Sequence, residues 1–140
     1  LSEPYFALPI PKSTGRELFS PAWLDARLCG HESLPPEDVA RTLGELTART
    51  ITNTVARFAP DAAELYVCGG GVYNKTLMQA IASHFPGLTA TTEALGVPPM
   101  EVEAAAFAWL AERFLASLPG NLPAVTRAAG PRILGALYPR

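Results

Sequence analysis

Apolar residues recur at two different spacings along the chain, and the change of spacing predicts the order of the elements. From Pro36 to Pro60 they recur every three or four positions, which predicts one long helix with a single buried stripe. Glu37 and Asp38 follow the proline and suit the positive end of that helix. Residues 62–68 end in an apolar run that three glycines stop, which predicts a buried strand.

Beyond the glycines the pattern again alternates between the two spacings. Helices are predicted over 74–85 and 99–117, and strands over 88–92 and 132–137. The alternation predicts an α/β fold with parallel strands flanked by helices. Three strands are few for a buried parallel sheet, so we expect the neighbouring strands to come from a segment upstream of this chain.

The amino-terminal part has a weaker pattern. Residues 1–20 predict an ordered loop, and a short helix follows Pro21. The division is therefore a loop over 1–20 and an α/β body over 21–140. Trp23 and Trp109 stand at helical spacings and are interpreted as core residues.

Composition narrows the class of protein. Of the 140 residues 49% are apolar and 17% are charged, which argues against disorder, and a net charge of −2 argues against a nucleic-acid partner. No apolar run is long enough to span a membrane. Cys29 and Cys68 lack a CxxC spacing, and His31 and His84 are isolated, so no metal site is predicted. A protein of the reducing cytoplasm is the simplest interpretation.

The glycine turn is the strongest local signal for chemistry. Gly69, Gly70 and Gly71 join the strand to a helix that Asn74 is placed to cap, and such a turn offers free N–H groups to an anion or nucleotide. A dinucleotide fingerprint would need glycine at position 74. Residues 69–76 match the P-loop pattern G-x-x-x-x-G-K-[ST] except at position 74, where Asn74 replaces a glycine whose backbone the motif needs. The remaining interpretations are the G-G-G-x-x-N turn of actin-like kinases and a tight turn without a ligand.

Four blocks, in order along the chain, resemble the signatures of the anhydro-N-acetylmuramic acid kinases. These are bacterial enzymes of cell-wall recycling in the acetate and sugar kinase, heat-shock protein and actin superfamily. The blocks are PKSTGRELF at 11–19, VCGGGVYN at 67–74 with the following LM, EA and AFAWLA within 103–111, and GNLPAVT at 120–126 with LGALYP at 134–139. Two departures are Met100 with Glu101, where the family usually has an acid, and Arg127, at a habitual glycine.

The resemblance implies the carboxy-terminal portion of a two-lobed kinase, with an actin-like (ribonuclease H-like) ATPase lobe. The implied reaction converts 1,6-anhydro-N-acetylmuramic acid to its 6-phosphate with ATP and Mg²⁺. The implied nucleotide-binding residues are Gly69, Gly70, Gly71 and Asn74, and Glu103 is the implied sugar contact. No catalytic base or metal ligand is expected in this chain, so the isolated chain is expected to be inactive. A homodimer is left open.

Glu103 is also notable without the resemblance. On a helix it shares a face with Phe107, Leu110 and Phe114, and a carboxylate there must be solvated, paired or facing a cleft. The bland alternative is an acid favoured by the helix amino terminus. The polar residues of 12–17 either line the cleft or cap their own backbone.

Two other classes of protein stay open for the chain: another actin-like sugar kinase or ATPase, and a non-enzymatic α/β interaction module.

Overall fold

Helices and two strands alternate along residues 2–138, the part of the chain that the structure, a computed structural model, describes. Pro139, the end of the fourth block, lies outside the described residues. The elements are α1 (Pro4–Ala7), α2 (Pro21–Leu28), α3 (Pro36–Phe58), β1 (Glu64–Val67), a first 3₁₀ turn (Gly70–Tyr73), α4 (Lys75–His84), β2 (Leu88–Thr91), a second 3₁₀ turn (Thr92–Leu95), α5 (Val102–Leu115) and α6 (Pro123–Thr126). Mixed helices and parallel strands confirm the predicted α/β class.

The sheet consists of β1 and β2, which run parallel with Glu64 opposite Leu88 and Val67 opposite Thr91. The crossover between them is α4, as the alternating pattern predicts. Gly87 precedes β2 at a point where a Cβ would lie 2.1 Å from the carbonyl oxygen of Ala63, so only glycine lets the two backbones approach. This close approach sets the register in which β2 starts beside β1.

The best-buried residues lie on α3, on α4 and directly after α4. Ala48 and Ile81 are fully buried, and Phe85 and Thr52 are nearly so. The Thr52 hydroxyl donates to the Ala48 carbonyl at 3.0 Å, which satisfies the polar group inside this interface. Helix α3 is present as predicted, but the positions that pack on the helix leaving the glycine turn are Ala48 and Thr52, which the apolar period did not include, whereas Phe58 of that period is 47% exposed.

An aromatic cluster orders the first residues against α2. The rings of Tyr5, Phe19 and Trp23 stack edge to face at centroid distances of 5.2 to 5.8 Å. The Lys12 ammonium donates to the carbonyls of Tyr5 and Phe6, both at 2.9 Å, where α1 ends. Lys12 therefore caps its own backbone. The segment predicted as a loop contains the one-turn helix α1, because Pro4 can occupy a first helical position.

The predicted strand over 132–137 is wrong, since this segment forms no strand pairing among the described residues. It is held by the loop that follows α5 instead: the N–H of Gly120 donates to the carbonyl of Arg132 at 2.9 Å, and the N–H of Arg132 donates to the side-chain oxygen of Asn121 at 2.6 Å. Gly135 lies close to the ring of Phe114 in α5. A strand needs a neighbour with free N–H and C=O groups, and Gly135, at φ +119°, interrupts extended pairing.

Helix α5 packs loosely. Trp109 is 51% exposed and Phe107 is 64% exposed, so the prediction that Trp109 is a core residue is wrong within this chain. Trp23 is half-buried and packs in the aromatic cluster, which agrees with its prediction in part. Among residues 2–138, none of the helices combines the length and the hydropathy needed to cross a bilayer.

Candidate functional site

The glycine turn has a backbone conformation that its sequence requires at one position. Gly69 adopts φ +78° and ψ −179°, a region that is essentially restricted to glycine. The next residues form the 3₁₀ turn Gly70–Tyr73, which the periodicity did not predict. Asn74 then caps α4, because its side-chain oxygen accepts from the N–H of Leu77 at 3.1 Å. The predicted strand, turn and capped helix are therefore present.

Gly70 and Gly71 have no such conformational requirement. Neither has a positive φ, a Cβ at Gly70 would meet no atom within 4 Å, and one at Gly71 would sit 3.6 Å from a methyl of Leu77. Within residues 2–138 their backbone N–H groups donate to no protein acceptor. Neither packing nor backbone strain therefore requires glycine at positions 70 and 71. The N–H groups of both residues are available to a ligand.

One backbone hydrogen bond joins the turn to the start of α5. The N–H of Gly69 donates to the carbonyl of Pro99 at 2.9 Å, and Pro99 is buried. Glu103 lies four residues later, in the first turn of α5. The glycine turn and Glu103 therefore lie at the same end of the structure, beside the carboxyl ends of the parallel strands, where ligands of α/β sheets bind.

Glu103 is exposed, and no side chain or backbone group of residues 2–138 is hydrogen-bonded to its carboxylate or forms an ion pair with it. Of the stripe it heads, Leu110 and Phe114 are half-buried under the segment that follows α5, whereas Phe107 is exposed. Glu103 is therefore solvated, and it is free to contact a polar ligand.

Tyr73 is a candidate that the sequence reasoning missed. It is 71% exposed in the 3₁₀ turn, directly before Asn74. The signal was an aromatic residue within the glycine turn, between the predicted strand and the predicted helix. Its ring is a flat apolar surface at the edge of the turn.

The 12–17 loop, expected either to line the cleft or to cap its own backbone, does not join this site. The 12–17 loop has no hydrogen bond or ion pair to the glycine turn within the described residues, and Lys12 is used by its own backbone. Between residues 2 and 138, no group of three or more His, Cys, Asp or Glu side chains is arranged to hold a metal ion.

Known proteins resemble the chain over its whole length. A family model described as "Anhydro-N-acetylmuramic acid kinase" matches residues 1–140. The chain is 55% identical to the anhydro-N-acetylmuramic acid kinase of Burkholderia orbicola strain AU 1054 and 57% identical to that of Burkholderia vietnamiensis strain G4, each over 145 residues. These alignments cover 100% of the chain and 38% of each relative, so the chain spans under two fifths of the relatives' length.

Proposed function

Because the chain belongs to the anhydro-N-acetylmuramic acid kinase family, we propose that it forms part of an ATP-dependent kinase acting on 1,6-anhydro-N-acetylmuramic acid. In the proposed reaction, water adds to C1 of the sugar as the C1–O6 bond breaks. O6 then takes the γ-phosphoryl group of ATP, which leaves ADP and N-acetylmuramic acid 6-phosphate. For the chain itself, one observation supports this proposal. Gly70 and Gly71 are glycines that the fold does not require, and they lie at the same end of the structure as the carboxylate of Glu103, which is unpaired within residues 2–138.

The glycine turn is the proposed contact for the adenosine side of ATP, through Gly69, Gly70, Gly71 and Asn74. Gly69 supplies the bend, Asn74 fixes the start of α4, and the two remaining glycines let a ligand approach the backbone closely. The free N–H groups and the positive end of α4 favour a ligand with oxygen acceptors.

Glu103 is the proposed sugar contact, where it orients the sugar hydroxyls or the attacking water. A carboxylate suits both tasks because it accepts hydrogen bonds from O–H groups. Its exposure and its link to the turn through Pro99 support a location facing the same cleft as the nucleotide.

An upstream lobe is the proposed partner of this chain, and the combined fold is proposed to be actin-like. The chain exposes 10,420 Å², whereas a compact monomer of 140 residues exposes about 7,000 Å². Helix α5 is apolar on most sides yet buries no residue, and a helix of that kind belongs in the interior of a larger body. The two-stranded parallel sheet likewise lacks neighbours among residues 2–138. A homodimer stays a secondary proposal.

The catalytic base and the metal ligands are proposed to lie outside this chain. Phosphoryl transfer from ATP needs Mg²⁺ to neutralise the phosphates, and the described residues offer no acidic cluster that fits it. A cytoplasmic location belongs to the same proposal, because ATP is the donor and the exposed thiols of Cys29 and Cys68 suit a reducing compartment.

The test is a comparison of the full-length protein with the 140-residue chain. The full-length protein should phosphorylate 1,6-anhydro-N-acetylmuramic acid in preference to simple hexoses, and the chain alone should be inactive. Preference for a simple sugar would favour another actin-like sugar kinase. Absence of Mg²⁺-dependent ATP binding by the full-length protein in isothermal titration would favour a non-enzymatic module and overturn the proposal.

A further inference from the structure

The end of α4 that is remote from the glycine turn is held by a polar contact. The Nε2 atom of His84, the last residue of α4, lies 2.8 Å from Oε1 of Glu45 on α3. The same carboxylate oxygen accepts from Nε of Arg49 at 2.6 Å. Only the first of these contacts crosses between the two helices, because Arg49 and Glu45 both belong to α3.

Packing holds the middle of α4 and Phe85, directly after it, whereas the last residue of the helix lies at the surface. Ile81 is fully buried, whereas His84 lines an open groove of about 260 Å³ with Arg49, Thr52, Asn53 and Ala56. The charged or titratable groups at this groove are Glu45, Arg49 and His84. The contact with Glu45 is therefore a polar link between α3 and α4 at this end of α4, beside the buried Phe85.

A helix transmits a change at one end to the other, since its internal hydrogen bonds make it stiff. The ten residues of α4 span about 15 Å. At the opposite end, Asn74 and Leu77 connect the helix to the glycine turn. A tilt of α4 at His84 therefore moves the turn.

We infer that Glu45 and His84 are a positioning pair for the nucleotide site, acting through α4 on the glycine turn. The inference rests on the proposed function, in which that turn binds ATP. Neither side chain contacts the nucleotide, so their loss should weaken ATP binding and leave the sugar site and the chemical step unchanged.

The test compares variants of the full-length protein by steady-state kinetics, with ATP and the anhydro-sugar varied separately. For His84→Ala we expect the KM for ATP to rise about threefold, as one net hydrogen bond allows, with the sugar KM and kcat unchanged. His84→Gln retains a donor and should restore the wild-type KM for ATP. Arg49→Ala is the matched control, because it removes a partner of the same carboxylate without breaking the link between helices, and it should behave as wild type.

Gly70→Ala separates the two levels of inference. If it raises the KM for ATP and His84→Ala does not, the positioning pair is refuted and the proposed function stands. An equal rise in Arg49→Ala and His84→Ala would also refute the pair, because the effect would then come from the carboxylate alone. If neither Gly70→Ala nor His84→Ala changes the KM for ATP, the proposed nucleotide site fails, and the positioning pair fails with it.

Discussion

The N–H of Gly69 donates to the carbonyl of Pro99 at 2.9 Å, and this bond joins the two halves of the candidate site. Gly69 begins the turn proposed to contact ATP, and Pro99 stands just before the helix that carries Glu103. The residues are thirty positions apart, so the contact depends on the fold and not on local sequence. This hydrogen bond connects the backbone of the glycine turn to the backbone that leads into Glu103.

The glycines of the turn should differ in what their replacement by alanine changes. Gly70→Ala should keep or raise thermal stability, by up to about 1 kcal/mol, because the fold accepts a Cβ there and the unfolded chain loses freedom. ATP affinity should fall about tenfold, or about 1.4 kcal/mol, because the Cβ meets the ligand. Thermal unfolding and isothermal titration of the full-length variant measure both.

Gly69→Ala is the contrasting variant. It should lower the free energy of unfolding by about 1–3 kcal/mol, because φ +78° strains any residue with a Cβ. If Gly70→Ala bound ATP as tightly as the wild type, the turn would have no role as a ligand contact.

Asn74→Ala should destabilise the protein by about 1 kcal/mol, because the N–H of Leu77 loses its acceptor at the start of α4. Asn74→Ser restores a capping oxygen and should recover most of that loss. Denaturant unfolding of the three proteins measures the difference. Equal stability of the alanine and wild-type proteins would show that the cap contributes nothing.

Glu103→Gln should lower kcat with the anhydro-sugar about 100-fold, the cost of misplacing a reacting group. The KM for ATP should stay the same, because the proposed nucleotide contacts lie on the turn and not on Glu103. Glu101→Gln is the matched control, since Glu101 is also exposed at the start of α5 but points to another face. Equal activity of both variants would remove Glu103 from the sugar site.

Acid should weaken the contact between α3 and α4. The hydrogen bond from Arg49, followed by that from His84, holds the pKa of Glu45 below its usual value of 4.5. A lowered carboxyl pKa stabilises the fold fully above that usual value, and the contribution is lost as the pH falls through the lowered pKa. The stability difference between wild type and Glu45→Gln should therefore be present at pH 7 and shrink below about pH 4. A difference that stays constant across this range would contradict the assignment.

Arg127→Gly should stabilise the protein by about 1 kcal/mol, because Arg127 follows α6 with φ +58° and ψ 18°, the left-handed region that favours glycine. Arg127, noted above as a departure from the resembling family's pattern, thus has a strained backbone conformation that glycine would relieve. Ser117→Gly, at φ 57°, is a second site of the same kind. Unfolding curves that place Arg127→Gly at or below wild type would show that the arginine makes compensating contacts.

The sequence predicted what local pattern controls. Helix α3 and strand β1 are present because their signals are local. These signals are the apolar period of α3, the proline at its start and the apolar run before the glycines. The strand over 132–137 failed because pairing needs a partner at a distance, which periodicity cannot supply. For the same reason the position of Glu103 near the turn could be proposed only from resemblance, and the bond from Gly69 to Pro99 was not predicted.

The buried interface of α3 and α4 also has a kinetic consequence. Helix α3, β1, α4 and β2 are consecutive in sequence, and the packing that buries Ala48 and Ile81 joins neighbours in this series. Short loops close quickly, so we expect residues 36–91 to form the folding nucleus and α5 to dock later. Hydrogen exchange should find the slowest amides in α3 and α4 and the fastest after Ser117. The site would then be assembled in two stages, with the glycine turn in place before Glu103 arrives beside it.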